Sequence, residues 1–146
     1  MRLTELLSTD FGKGAPADLN CAERLFYGAN TAYELGYDEE VRKLAGLFGG
    51  GMYSGSVCGA VTGSLMALGK LIIDSCAHNT DNASDVANAF LDNYREKAGA
   101  LDCAALRPMY HTPETKCYKT QQLAAEVLDD LVISLGLMDE SGNMLK

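Results

Sequence analysis

The sequence has no cluster of basic residues. Of its 146 residues, 12 are Lys or Arg and 20 are Asp or Glu, so the net charge is −8. The longest basic run is Arg42-Lys43. Because phosphate binding requires grouped Lys and Arg side chains, the composition argues against a nucleic-acid or anionic-membrane partner.

No apolar segment is long enough to cross a membrane as a helix. The most apolar segment, residues 57–73, contains Lys70 and three glycines and falls short of the ~20 residues that a span requires. The first residues are polar and lack the apolar core of a secretory signal. We therefore expect no membrane insertion and a cytoplasmic location, where thiols are mostly reduced.

Strand signals are absent as well. The chain has no sustained alternation of apolar and polar residues and no Asn-Gly or Asp-Gly hairpin turn. Apolar residues recur instead at helical spacing. The sequence therefore predicts an all-α, single-domain bundle of five to six helices over residues 1–146, around a buried glycine-rich central helix. The predicted helices cover residues 3–7, 20–36, 38–48, 57–73, a segment from about 82 past 94, and 118–135, with an irregular segment at 102–113 that contains a short helix start at Cys103.

A glycine-rich segment leads into the central helix and places Cys58 at its start. Residues 49–63 read GGGMYSGSVCGAVTG. A thiol at a helix N-terminus lies near the positive end of the helix dipole and near unpaired backbone N–H groups, which favour the thiolate. Such sites lower a thiol pKa from ~8.5 to roughly 3.5–7.5. We therefore predict that Cys58 is the most activated thiol of the chain.

Small residues recur at every fourth position through this segment, at Gly55, Gly59, Gly63 and Ala67. They share one helical face, where they let another backbone come close. Each glycine inside a helix costs ~1 kcal/mol relative to alanine, so a compensating contact is required. The simpler interpretation is helix packing, within the chain or across a homodimer. The alternative is that Gly55, Gly59 and Gly63 make room for a cofactor or a partner cysteine.

Four of the five cysteines lie at predicted helix N-termini. Cys21, Cys58, Cys103 and Cys117 share this position, whereas Cys76 lies near a helix end. For a single cysteine, burial as a small apolar side chain is the ordinary explanation. Four cysteines in one electrostatic setting indicate a shared site, provided that their helix ends converge.

These residues resemble the C-GCAxxG-C-C family of redox-active proteins, which is named for four characteristic cysteines. A similar domain occurs in split-Soret cytochromes, in a context of electron transfer. The resemblance runs over roughly residues 19–135 and implies a redox site, with Cys76 outside the family pattern. The matching residues are Asn20-Cys21-Ala22, Gly49-Gly50-Gly51, the segments 58–63 and 65–69, Cys103 and Cys117.

Two chemistries fit a site made of Cys21, Cys58, Cys103 and Cys117. In the first, thiol/disulfide exchange, Cys58 attacks and Cys21 or Cys103 resolves the mixed disulfide. No Cys-x-x-Cys is present, so such a site is unlike that of thioredoxin. In the second, the four thiolates bind an iron–sulfur cluster or, less in keeping with a redox role, zinc. The expected partner is a redox protein or a small thiol or disulfide.

His111 lies between two of the motif cysteines and is a further candidate, as a metal ligand or as a base. A surface histidine in a loop is the ordinary explanation. A third function class also stays open, in which the chain is a helical interaction domain that dimerises through its small-residue face and carries inert cysteines.

Overall fold

The structure, a computed structural model, describes residues 1–145, which fold as a helical bundle. This part of the chain contains seven α-helices, so the all-α prediction is confirmed with a slightly higher count. Its extended segments form only isolated β-bridges. None of the described helices combines the length and apolar character needed to cross a membrane. The helices are α1 (Leu3–Leu7), α2 (Cys21–Ala32), α3 (Glu39–Arg42), α4 (Gly59–Ile72), α5 (Ala83–Ala98), α6 (Cys103–Tyr110) and α7 (Tyr118–Ser134), with short 3₁₀ segments at Lys43–Phe48 and Ala77–Asn79.

Helix α4 is the centre of the bundle, and its small residues face α2 of the same chain. A Cβ added at Gly63 would lie 2.7 Å from the carbonyl oxygen of Ala22, closer than real Cβ atoms approach. Gly55 precedes α4 and lies against the methyl group of Ala104 instead. Packing within the chain therefore accounts for the small-residue face of α4, and a homodimer would need another surface.

Helix α2 begins as its sequence predicts and ends earlier. The Asn20 side chain accepts from the Glu23 N–H at 3.0 Å, and the Glu23 carboxylate accepts from the Asn20 N–H at 3.2 Å, which completes the capping box. The helix ends at Ala32 rather than near residue 36. The Asn30 side chain bonds both backbone groups of Tyr37 at 2.8 and 3.0 Å, so the chain folds back before the helix can continue.

The helix start expected at Cys103 is confirmed, but the irregular structure expected over the rest of 102–113 is wrong, because α6 continues to Tyr110. The Asp102 carbonyl accepts from the Leu106 N–H at 2.9 Å, and the Leu106 side chain is buried in the core. Pro108 lies inside this helix and removes one backbone hydrogen bond. The burial of Leu106 and the backbone hydrogen bonds to Asp102 stabilise this short helix despite the hydrogen bond lost at Pro108.

A buried carboxylate joins the first helix to the last. Asp129 of α7 is 1% exposed and accepts from the N–H groups of Leu3 and Thr4, each at 2.9 Å. It also accepts from the Thr4 hydroxyl at 2.9 Å and the Tyr33 hydroxyl at 2.6 Å. Burial raises the pKa of Tyr33, and the charge of Asp129 raises it further. Asp129 thus binds two backbone N–H groups in the first turn of α1 and fixes α1 and α2 against α7.

Candidate functional site

Four helix N-termini converge on one cavity, and each brings a cysteine. Cys21 and Cys103 are the first residues of α2 and α6, while Cys58 and Cys117 are the N-caps of α4 and α7. All four line a cavity of about 290 Å³. None of them is bonded to another sulfur, and Cys76 is exposed and does not line this cavity.

The sulfur of Cys21 lies directly against the start of α4. A Cβ at Gly59 would overlap the Cys21 Sγ and would lie 3.0 Å from the backbone nitrogen of Ala22. Backbone N–H groups of Gly50, Ala22 and Gly59 face the same sulfur and stabilise its anionic form. Gly59 is therefore glycine because the Cys21 sulfur occupies the space of a side chain.

Cys58 and Cys103 are held together by a short antiparallel backbone contact. The Cys58 N–H donates to the Leu101 carbonyl at 2.8 Å, and the Cys103 N–H donates to the Ser56 carbonyl at 2.6 Å. Val57 forms an isolated bridge with Asp102 between them. The segments entering α4 and α6 are thereby fixed side by side.

Tyr94 connects the Cys58 thiol to two further helices. Its hydroxyl lies 3.9 Å from the Cys58 Sγ and 3.4 Å from the carbonyl oxygen of Thr120. The ring is fully buried, and burial followed by the charge of Cys58 raises the pKa of Tyr94. The neutral hydroxyl of α5 is therefore a fixed hydrogen-bond donor on the inner side of the cavity.

Burial, and not helix position, sets the direction of the pKa shift at Cys58. It raises the pKa of Cys58 to about 11, although the N–H groups of Ala60 and Val61 and the Tyr94 hydroxyl oppose the shift. The predicted lowering of this pKa is therefore wrong for the free thiol. Burial also raises the pKa values of Cys21 and Cys117, and the neighbouring Cys21 adds to the shift at Cys117.

The remaining residues predicted from the sequence lie in two places, at the cavity and at contacts between helices. His111 lines the cavity, as a metal ligand or base would have to. Gly55, Gly59 and Gly63 do not line it, because atoms of α2 and α6 fill the space beside them. Within residues 1–145 no three His, Cys, Asp or Glu side chains are arranged to hold a metal ion.

Several cavity residues were not identified from the sequence. Gly50, Arg107, Lys116 and Tyr118 line the cavity beside the cysteines. Two of them adjoin Cys117 in the chain, and Arg107 lies one helical turn beyond Cys103. Helical spacing from Cys103 could have indicated Arg107, whereas nothing local distinguishes Gly50 from its two glycine neighbours.

The fold and this cavity define a helical protein with one four-cysteine site. The chain matches the family described as "Putative redox-active protein (C_GCAxxG_C_C)" over residues 19–131, and it belongs to that family. No curated protein and no solved structure matches the chain significantly. Family membership thus supports a redox role at the coarse level, without specifying the chemistry.

Proposed function

We propose that the protein transfers electrons through an iron–sulfur cluster bound by Cys21, Cys58, Cys103 and Cys117. The observation that carries this proposal is that all four thiols line one cavity of about 290 Å³. Four cysteines are the usual ligand set of both [2Fe–2S] and [4Fe–4S] clusters.

The electrostatics of the thiols fit metal binding better than free nucleophiles. Burial raises the pKa values of Cys21, Cys58 and Cys117, so these thiols stay protonated near neutral pH when nothing is bound. A bound metal deprotonates its thiol ligands outright. The N–H groups that face Cys21 and Cys58 would then donate to thiolates, and hydrogen bonds to sulfur are among the factors that set a cluster's potential.

A single structural zinc ion fits the site less well. Zinc in such sites holds four ligands tetrahedrally, with Zn–S distances of about 2.3 Å. Zinc has no redox chemistry of its own, whereas the family to which the chain belongs is described as redox-active.

Each part of the chain has a separate task in this function. A bound cluster supplies one-electron reduction and reoxidation. The backbone N–H groups at the starts of α2 and α4 stabilise negative charge on the sulfurs. The buried side chain of Leu106 forms part of the cavity wall and excludes water there.

Thiol/disulfide exchange is the second candidate, and the contact between Cys21 and Gly59 favours it. This contact brings the Cys21 sulfur to the residue that follows Cys58. In such a reaction the Cys58 thiolate attacks a disulfide of the substrate and displaces one of its thiols. Cys21 then displaces the second thiol and forms a Cys21–Cys58 disulfide. Two electrons and two protons pass to the substrate, and the raised pKa of Cys58 makes the first step slow at neutral pH.

Anaerobic purification distinguishes these candidates. We expect a coloured protein with stoichiometric iron and acid-labile sulfide. Cys58→Ser and Cys103→Ser should each lose the iron, whereas Cys76→Ser should retain it because Cys76 lies outside the cavity.

The opposite result is equally clear. An iron-free, colourless protein that cannot be reconstituted with ferrous iron and sulfide, and that loses free thiols in pairs on mild oxidation, would establish dithiol chemistry instead. The protein could also lack both bound iron and thiols that oxidise in pairs. If the Cys58→Ser and Cys103→Ser variants then behave as the parent protein, the chain is an interaction domain with inert cysteines.

A further inference from the structure

The opening of the cysteine cavity is positively charged, although the chain as a whole is acidic. Arg107, His111 and Lys116 line the cavity, and Arg107 and Lys116 are exposed. Asp18 is the single carboxylate among the residues that line it, and that carboxylate accepts from the backbone N–H of Gly14 at 3.2 Å. Although the chain has a net charge of −8, the side chains at this opening, apart from the cysteines and any bound cluster, therefore carry an excess of positive charge.

Two further cations lie against the ring of Tyr118 without lining the cavity themselves. The Lys13 Nζ lies 4.1 Å from the centroid of the Tyr118 ring, and the Arg24 guanidinium carbon lies 5.0 Å from it. Arg24 is fully buried, and it bonds only to neutral acceptors. These acceptors are the carbonyl oxygens of Leu7, Thr9 and Phe11 and the side-chain oxygen of Gln121.

The chain's own carboxylates do not neutralise this charge. Four ion pairs form among residues 1–145, and none includes Lys13, Arg24, Arg107 or Lys116. The pairs are Arg42–Glu23, Lys43–Glu40, Arg95–Asp92 and Lys97–Glu126. The exposed side chains of Arg107 and Lys116 thus remain available to an external anionic group, whereas Arg24 is buried.

An exposed apolar patch adjoins the cavity. Leu44, Leu47, Met52 and Tyr53 are 67%, 78%, 44% and 73% exposed, and we call these four side chains the apolar patch. Met52 and Tyr53 both adopt left-handed backbone conformations, with φ of 60° and 56°. That conformation costs a residue with a Cβ roughly 1–2 kcal/mol, and such strain concentrates at functional positions.

The loop that carries Met52 and Tyr53 reaches the cavity at Gly50 and contacts α6 at its other end. Gly50 lines the cavity and lies two residues before Met52. At the other end of the loop, Gly55 contacts Ala104 of α6, the helix that presents Arg107. The loop of Met52 and Tyr53 therefore connects the cavity lining at Gly50 to α6, the helix that carries Arg107.

We propose that the apolar patch and the basic cavity opening form one docking surface for an acidic electron-transfer protein. This inference rests on the proposed electron-transfer function. The cations steer an acidic partner to the opening, and the apolar patch supplies the desolvated contact that holds it. One electron would then pass from the partner's reduced centre to the oxidised cluster that the four cysteines would hold, and no covalent bond would form or break.

Two other occupants fit this surface less well. In a two-fold dimer of this chain, each basic opening would face its own copy, and the like charges would repel. A small anion would satisfy Arg107 and Lys116 but would leave Leu47 and Tyr53 exposed to water.

A plant-type [2Fe–2S] ferredoxin of high negative charge is a suitable probe. Its dissociation constant is measured by titration calorimetry at ionic strengths of about 0.01 M and about 0.15 M. We expect binding that weakens with salt, and a loss of at least about tenfold at the lower ionic strength when Arg107→Glu and Lys116→Glu are combined. Tyr53→Ser should weaken binding without changing its salt dependence.

The matched control is Lys70→Glu combined with Lys97→Glu. This variant has the same net charge as the first double variant, but neither of its positions lines the cavity. We expect its affinity to stay close to that of the parent protein. Circular dichroism of all variants verifies that each one is folded.

Several results would overturn the proposal. These are an equal loss of affinity in both double variants, the absence of ferredoxin binding at low ionic strength, and a dimer in sedimentation experiments that Tyr53→Ser converts to monomer. Saturable sulfate binding without ferredoxin binding would show a small-anion site in its place. Because calorimetry does not depend on bound iron, an iron-free protein that still binds the ferredoxin would refute the cluster and leave the docking surface intact.

Discussion

At the scale of single residues, two opposing effects act on the pKa of the Cys58 thiol. Cys58 occupies the helix start that its sequence predicts, and the N–H groups of Ala60 and Val61 lower its pKa as the dipole argument requires. The side chain is also 5% exposed, and removing the thiolate from water raises the pKa by more than these groups lower it.

Alkylation of the reduced, metal-free protein tests this balance. We expect the reaction of Cys58 with iodoacetamide to accelerate about tenfold per pH unit through the neutral range, because the thiolate fraction rises until the pH approaches the pKa. The profile should level off only near pH 11, since burial raises the pKa of Cys58 to about 11. Peptide mass spectrometry after timed quenching gives the rate at each cysteine.

A second variant, Tyr94→Phe, removes a hydroxyl that lowers the pKa of Cys58. Its profile should move to higher pH, while the exposed Cys76 should react as in the parent protein. A Cys58 profile that levels off near neutral pH would contradict the dominance of burial.

At the scale of elements, the contact between α2 and α4 explains why the glycines of α4 differ in their tolerance to substitution. A Cβ at Gly59 would meet the Cys21 sulfur and, at 3.0 Å each, backbone atoms of Ala22 and Phe48. Backbone atoms cannot move aside as a flexible side chain can. Gly69 lies in the same helix with nothing within 4 Å of the added atom.

Gly59→Ala and Gly69→Ala therefore form a matched pair. We expect Gly59→Ala to lower the free energy of unfolding by about 1–3 kcal/mol and to impair iron binding, because it forces the Cys21 sulfur to move. Gly69→Ala should raise the free energy of unfolding by about 0.5–1 kcal/mol, since alanine is the better helix former.

Urea denaturation and the iron content of anaerobically purified protein measure both effects. Equal stability changes in the two variants would show that helix propensity alone governs α4, and that the Cys21 contact is unimportant.

At the scale of the whole molecule, Asp129 joins segments that lie more than a hundred residues apart. Its carboxylate accepts hydrogen bonds from the backbone N–H groups of Leu3 and Thr4 and from the Tyr33 hydroxyl. Each donor left buried without an acceptor costs about 1–3 kcal/mol.

Asp129→Ala should therefore lower the free energy of unfolding by about 3 kcal/mol or more. Asp130→Ala, at the exposed neighbouring position, should change it by less than about 0.5 kcal/mol. Thermal and urea denaturation report both values, and hydrogen exchange at Leu3 and Thr4 reports the local loss. Equal effects of the two substitutions would contradict the structural role of Asp129.

The sequence predicted where the helices begin better than it predicted the tertiary contacts around them. The capping box at Asn20 and the helix starts at Cys58 and Cys117 depend on neighbours in the chain, so local patterns sufficed. The sequence predicted a helix start at Cys103 but not the continuation of that helix to Tyr110, because Pro108 is a local helix breaker, whereas the burial of Leu106 is a tertiary effect.

By itself, the sequence determined the helical class, the central glycine-rich helix and the position of four cysteines at helix starts. These follow from spacing and local hydrogen bonding, which are written in consecutive residues. Only the tertiary structure decided that the four starts meet at one cavity, that burial reverses the expected pKa shift of Cys58, and that Arg107 and Lys116 gather at the opening of an acidic protein. Desolvation and the grouping of charges depend on which surfaces come together, and a linear pattern of residues does not contain that information.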